Sequence, residues 1–244
     1  MTMIDFHTHC LPGMDDGAVD EAASLTMLQD SVAQGITAVA ATSHFIPGEE
    51  SVSLYLERRA AALERVLAVR DADPTLAGSI HIIPGAEVLI REGVSQLDLR
   101  PLCLQGSDVI LLELPFAAPP VWLYEEIEEI VFGQKLRVML AHVDRYMTWY
   151  SGERLGYMMD TPGLIIQLNG ENIRSRHAFR LLRRWLPQTD HMVLGSDMHG
   201  SDGRVQDRQA VCRRLSRNRI GKQWLQAIDA CSAELARDCA AGML

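Results

Sequence analysis

Short, nearly continuous apolar runs alternate along the whole chain with longer segments in which apolar positions recur every three or four residues. The first pattern reads as buried strands, the second as amphipathic helices. At the start, Ile4 and Phe6 alternate with Asp5 and His7, the period of a strand with one buried face. Six further strands are expected at 36–44, 80–88, 108–115, 137–142, 163–169 and 191–197. Helices are expected from Asp20 or Ser24 to residue 33, with Gly35 at the exit, and at 51–69, 121–132, 174–186, 205–217 and 221–240. The second is stopped by Asp71-Ala72-Asp73-Pro74, and the fourth is basic. Successive strand ends lie roughly 25–45 residues apart, room for a strand and a crossover helix. Strands this apolar imply a parallel sheet covered on its outer face. No linker rich in Pro, Gly or Ser interrupts the alternation, so one domain is expected over 1–244. It is α/β, either an open doubly wound sheet or a barrel.

Composition narrows the partners more than the fold. Of the 244 residues 48% are apolar and 23% charged, the proportions of an ordinary globular protein. The net charge is −9 and Lys and Arg form no long run, which argues against nucleic acid. There is no basic region followed by an apolar core, and no apolar run approaches the roughly 20 residues of a membrane span. The five scattered cysteines, an odd number, fit a reducing cytoplasm.

Polar residues decide between sheet and barrel. The first strand ends in His7 and His9, two apart and therefore side by side. Later strands end in His44, Glu87, Glu113, His142 and Asp197, with His199 two residues on and Asp16 in the first loop. Singly, each reads as a solvated strand end or a satisfied core histidine. Together they converge only if the strands close into a barrel, whose strand C-termini share one rim. Burying so many ionisable groups unpaired costs several kcal/mol each. Multivalent cations offset that cost. Imidazole and carboxylate without thiolate suit Mn, Fe or Zn at a catalytic centre, and nine ligands are too many for one ion. Two or three ions are expected, with a carboxylate such as Glu87 bridging. Arg145 and Arg204 follow these histidines in loops of the same rim, where guanidinium suits a phosphate. Cys231 and Arg237 have the C-x5-R spacing of cysteine-dependent phosphatases. The segment between them lacks glycine and favours a helix, so Cys231 is expected to be a packing residue.

The segments IDFHTHCLPGMDDGA, ATSHF, PGAEV, LLELPF, LAHVDRY and LGSDMHG resemble, in order, the motifs of the polymerase-and-histidinol-phosphatase superfamily. More narrowly they resemble the bacterial manganese-dependent tyrosine phosphatases of capsule and exopolysaccharide operons, the CpsB/YwqE type. The resemblance spans nearly the whole chain, and HxH followed by PGMDDGA is its most specific element. It implies a distorted (β/α)7 TIM-like barrel with a trinuclear site. The first metal would take His7, His9, Glu87 and Asp197, and the second Glu87, Glu113 and His142. The third would take Asp16, His44 and His199. Arg145 and Arg204 would hold the phosphoryl group. Two departures stand out. Ser43-His44-Phe45 replaces a motif that usually has a second histidine or a proline, and Val143-Asp144 replaces proline and glutamate. Neither removes a ligand.

The leading expectation is therefore a metal-dependent protein-tyrosine phosphatase with manganese first, or Fe, Zn, Co or Mg in its place. A metal-activated water would attack phosphorus, with His199 or Asp197 available to assist the leaving group. The substrate would be a phosphotyrosine protein, such as the tail of a bacterial tyrosine kinase. The alternative is a histidinol-phosphate or other small-molecule phosphatase on the same site. A third reading, a non-catalytic metal-binding barrel, predicts lost ligands, and none is lost.

Overall fold

The parallel strands expected from the apolar runs all form, but two of them are broken. The structure, a computed structural model, describes residues 3–186, 189–200 and 204–243. Met1, Thr2 and Leu244, at the ends of the expected domain, lie outside the described residues. The strands are β1 (Ile4–Thr8), β2 (Ala38–Ala41), β3 (His44–Phe45), β4 (His81–Pro84), β5 (Glu87–Leu89), β6 (Val109–Glu113), β7 (Arg137–Leu140), β8 (Leu164–Leu168) and β9 (Met192–Leu194). The expected 36–44 strand is cut between β2 and β3, and 80–88 between β4 and β5. Pro84 ends β4 because it has no N–H for the ladder.

One sheet has the order β1-β2-β4 and the other β3-β5-β6-β7-β8-β9, every pair parallel. Since β2/β3 and β4/β5 are consecutive halves, the order around the ring follows the chain. The ring closes past the end of β9. Thr8 and Met198 form a parallel bridge, Asp197 N donates to His7 O at 2.8 Å, and His9 N donates to Met198 O at 3.0 Å. The buried Asp5 carboxylate stitches this seam, accepting from Ser196 N at 2.8 Å and from Gln206 Nε2. Burial pushes the Asp5 carboxyl above its ordinary range. The fold is the distorted (β/α)7 barrel that the resemblance implied, and a barrel is what the converging polar ends favoured over an open sheet.

Alternation along the strands sorts two cores. Ile4 and Phe6, Ala38 and Ala40, and Val109 and Leu111 face the barrel interior. Val39, Ile82, Ile110, Leu112 and Ile166 belong to the second core, under the surrounding helices. The helices are α1 (Glu21–Ala33), α2 (Val52–Ala72), α3 (Leu123–Glu128), α4 (Gly152–Met159), α5 (Gly170–Arg174), α6 (Arg176–Trp185), α7 (Arg208–Leu215) and α8 (Arg219–Cys239). Asp20 and Ser51 cap α1 and α2, accepting from Ala23 N at 2.9 Å and Leu54 N at 3.2 Å. Helix α2 runs past residue 69 to Ala72 and ends where Asp73, held extended before Pro74, leaves helical geometry. The 121–132 helix is split, with α3 widening into a π-helical turn over Glu129–Gly133. The 174–186 helix starts later, because Ser175 is extended and caps α6. Helix α8 sends Cys231, Leu235 and Cys239 into the interior cluster. Cys231 is thus a packing residue with no phosphate cradle around it. Among the described residues no helix is long and apolar enough to cross a membrane.

Candidate metal centre

All nine candidate ligands collect where the strands end. His7 lies in β1 and His9 just beyond it, with their Nε2 atoms 3.0 Å apart. Glu87 opens β5, Glu113 closes β6, His44 opens β3, and His142 and Asp197 follow β7 and β9. His142 and Asp197 adopt left-handed backbone, φ 31° and 52°, which L side chains avoid. Such strain persists where surrounding structure holds it, and here it aims two side chains inward.

Three overlapping groups result. His7, His9, Glu87 and Asp197 are all buried and form the innermost. Glu87 Oε2 lies 3.2 Å from His7 Nε2 and 3.3 Å from His9 Nε2, and Asp197 Oδ1 lies 3.4 and 3.3 Å from the same atoms. A second group joins His44, Glu87 and Glu113. His142 Nε2 stands beside it, 2.9 Å from Glu87 Oε1 and 3.5 Å from Glu113 Oε1. The third combines His9, Asp16, His44 and His199, with His199 Nε2 3.2 Å from Asp16 Oδ1. His44 thus faces two groups, its Nδ1 3.0 Å from Glu87 Oε2 and its Nε2 3.7 Å from Asp16.

Partners outside the groups fix the imidazoles. His7 Nδ1 donates to Gln167 Oε1 at 3.0 Å and His9 Nδ1 to Asp15 Oδ2 at 2.7 Å, which turns both Nε2 atoms inward. His199 Nδ1 donates to the Asp197 carbonyl at 2.9 Å. Gln167 Oε1 also accepts from His142 N at 2.6 Å, and its amide donates to Asn169 Oδ1 at 2.7 Å. Asn169 in turn reaches Asp197 Oδ2 at 3.3 Å. Asp15, Gln167 and Asn169 were not singled out from sequence. Gln167 and Asn169 did carry a signal, since they are two apart at an apolar strand's end, as His7 and His9 are. The motif glycines leave room for this packing. A Cβ on Gly17 would lie 2.4 Å from His9 Cβ, and one on Gly195 2.6 Å from His7 Cβ.

The electrostatics are those of a cation site. Glu87 Oε2, Asp197 Oδ1 and His199 Nε2 are buried without a hydrogen-bond partner, although they point into the groups. Acceptors and lone pairs directed at common points fit divalent cations. Burial opposes charge on His9 and His142, but the carboxylates outweigh it. The Asp15 hydrogen bond and the facing Asp197 and Glu87 carboxylates hold His9 well above its ordinary value, and Glu113 and Glu87 raise His142 to about 9. Burial likewise opposes ionisation of Glu87 and Asp197, yet the facing histidines keep both carboxyls well below their usual range. Burial and the charge of His9 lower His199 to about 4, so its imidazole is neutral.

Arg145 Nη2 and Arg204 Nη1 both reach Asp197 Oδ2, at 2.5 and 2.7 Å, at the edge of the groups. They open onto a cavity of about 500 Å³, lined also by Asp16, Asn169, Arg174 and His199. On the other side, Phe116 stacks on His142 with ring centroids 5.7 Å apart and meets Trp149 edge-on at 5.6 Å. These two rings are 43% and 39% exposed, so the site has an open aromatic wall.

Comparison with known proteins identifies the family. Residues 3–234 match the family model described as capsular polysaccharide synthesis, CpsB/CapC. The chain is 30% identical to the tyrosine-protein phosphatase YwqE of Bacillus subtilis over 177 residues, 70% of this chain and 66% of that one. It is 24% identical to the tyrosine-protein phosphatase CpsB of Streptococcus pneumoniae, over 83% of this chain and 85% of that one. A crystal structure from work on those two metal-dependent tyrosine phosphatases superposes with a TM-score of 0.72 at 23% identity, covering 92% of each chain, and shows the same fold. The chain belongs to the CpsB/CapC family of capsular polysaccharide synthesis.

Proposed function

We propose that this chain is a metal-dependent protein-tyrosine phosphatase, a single barrel unit over 1–244 that works in the cytoplasm on capsule or exopolysaccharide regulation. The observation that carries the reading is the convergence of eight His and carboxylate ligand candidates, with His142 beside them, including buried polar atoms that lack hydrogen bonds. His7, His9, Glu87 and Asp197 would hold one cation, Glu87, Glu113 and His142 a second, and Asp16, His44 and His199 a third. Bound divalent cations, manganese foremost, supply Lewis acidity and lower the pKa of water at the centre.

The chain's own groups do the rest. Arg145 and Arg204 grip the non-bridging phosphoryl oxygens with the N–H donors that Asp197 does not use, and they stabilise charge as the ester bond breaks. Asp197 stays ionised between these arginines and the histidines, so it positions them and keeps no proton to give. The phenol of tyrosine, with a pKa of about 10, leaves without a strong acid. Phe116 and Trp149 offer an aromatic face to the departing ring, which favours an aryl phosphate over an alkyl one such as histidinol phosphate. A phosphotyrosine-bearing kinase tail fits as substrate.

The test is turnover of a phosphotyrosine peptide and of histidinol phosphate by chelated protein titrated with Mn, Fe, Zn, Co or Mg. Metal-dependent preference for the peptide is expected, and Glu87→Gln, with one charge fewer, should lower kcat/KM by about 10³-fold or more. Chelator-insensitive turnover, or a preference for histidinol phosphate, would overturn the reading.

A further inference from the structure

Arginine is used in more than one way in this molecule. Some guanidinium groups find an acid: Arg58 pairs with Glu50, Arg65 with Glu21, Arg137 with Asp108 and Asp238, and Arg174 with Asp207. On one face, four that do not are gathered together. Arg176, Arg180 and Arg183 project from α6 at spacings of four and three residues, so they share a side of the helix. Arg214 of α7 stands across from them, and with Phe179 and Asn218 they line a cleft of about 350 Å³.

Among the described residues, none of these four arginines pairs with a carboxylate. The Arg214 guanidinium lies over the Phe179 ring at 4.9 Å, and its Nε is buried without a hydrogen-bond partner. Four like charges in one concavity repel one another unless an anion joins them. They do so in a chain whose net charge is −9, so the local sign is inverted. Sequence hides this concentration. Between Arg174 and Arg219 there are eleven arginines, but they are dispersed, and only the packing of α6 beside α7 gathers four of them. The place is also suggestive. Arg176 comes two residues after Arg174, which lines the cavity at the metal centre.

We infer that the cleft of Arg176, Arg180, Arg183 and Arg214 docks an acidic peptide segment that flanks the phosphotyrosine of a polypeptide substrate. The inference rests on the phosphatase reading above. Forked guanidinium groups match carboxylates or further phosphates bidentately. A concavity backed by an aromatic ring suits side chains of a peptide better than the flat surface of a bilayer. Its nearness to the cavity lets one extended chain occupy both.

The test uses the full chain, metal-loaded, and the triple variant R176Q/R180Q/R183Q. These three residues are exposed, so the variant should melt like wild type. Two phosphotyrosine peptides are compared, one flanked by Asp and Glu and the other by Asn and Gln. Wild type should show a KM about tenfold lower for the acidic peptide at equal kcat. The variant should lose that difference while turning over p-nitrophenyl phosphate as before. Equal KM values for wild type, or retained discrimination by the variant, overturn the inference. Fluorescence anisotropy of the labelled acidic peptide reads the cleft without catalysis. If no phosphomonoester is hydrolysed, the phosphatase reading fails, and weaker peptide binding by the variant still supports the cleft while equal binding rejects it. Sedimentation with phosphatidylglycerol vesicles is the last arm. Vesicle binding that the variant loses, with unchanged peptide kinetics, assigns the face to a membrane and overturns the inference.

Discussion

His9 shows how much of this site depends on single hydrogen bonds. Its ring has two nitrogens, and only the Asp15 carboxylate at Nδ1 decides that Nε2 faces the acceptors. Asp15 also accepts from His44 N at 2.8 Å and Gly17 N at 3.0 Å, so one carboxylate positions two candidate ligands and the loop between strand and helix. Asp15→Asn keeps the shape and removes the charge. It should weaken metal binding about 10- to 100-fold with little change in melting temperature, read by competition against a chromogenic chelator. Unchanged affinity would remove Asp15 from the site. In sequence Asp15 and Asp16 are neighbours, and only Asp16 was a candidate ligand. The barrel turns one inward to a histidine and leaves the other 67% exposed at the mouth.

At the scale of elements, the strands were readable because their burial on both faces writes itself as apolar runs. The breaks in them were not. The gaps fall at Thr42-Ser43, between β2 and β3, and at Gly85-Ala86, between β4 and β5, short interruptions within otherwise strand-like runs, and they change which strands pair. They also set His44 opposite Glu87 in the β3–β5 register. The short helix α4 escaped notice because Gly152 and Gly156 depress helix propensity over eight residues. The long helices carried local signals that held. Ser51 opens α2, and Ser51→Ala should cost about 1 kcal/mol in urea unfolding while leaving turnover intact. A null effect would mean that packing alone holds that helix end.

For the whole molecule, closure is the decisive event. The seam between β1 and the end of β9 joins residues almost two hundred positions apart, and the innermost group straddles it, with His7 and His9 on one side and Asp197 on the other. Helix α8 packs against the barrel and sends side chains into its interior cluster, where Leu235 is 1% exposed. Leu235→Ala should destabilise the fold by about 3 kcal/mol through lost contacts and a residual cavity. Chemical denaturation checks this, and a loss below about 1 kcal/mol would show that this packing is dispensable.

Sequence by itself determined the α/β class, the identity of the polar strand ends and the residue types able to meet a metal and a phosphate. Those properties are local, written in periodicity and in side-chain chemistry. Only the tertiary structure decided which nitrogen of each histidine points inward, how the donors divide among overlapping groups, and that α6 and α7 face four arginines into one cleft. Each of these depends on contacts between distant segments, such as His7 with Gln167, whose geometry no short window of sequence contains.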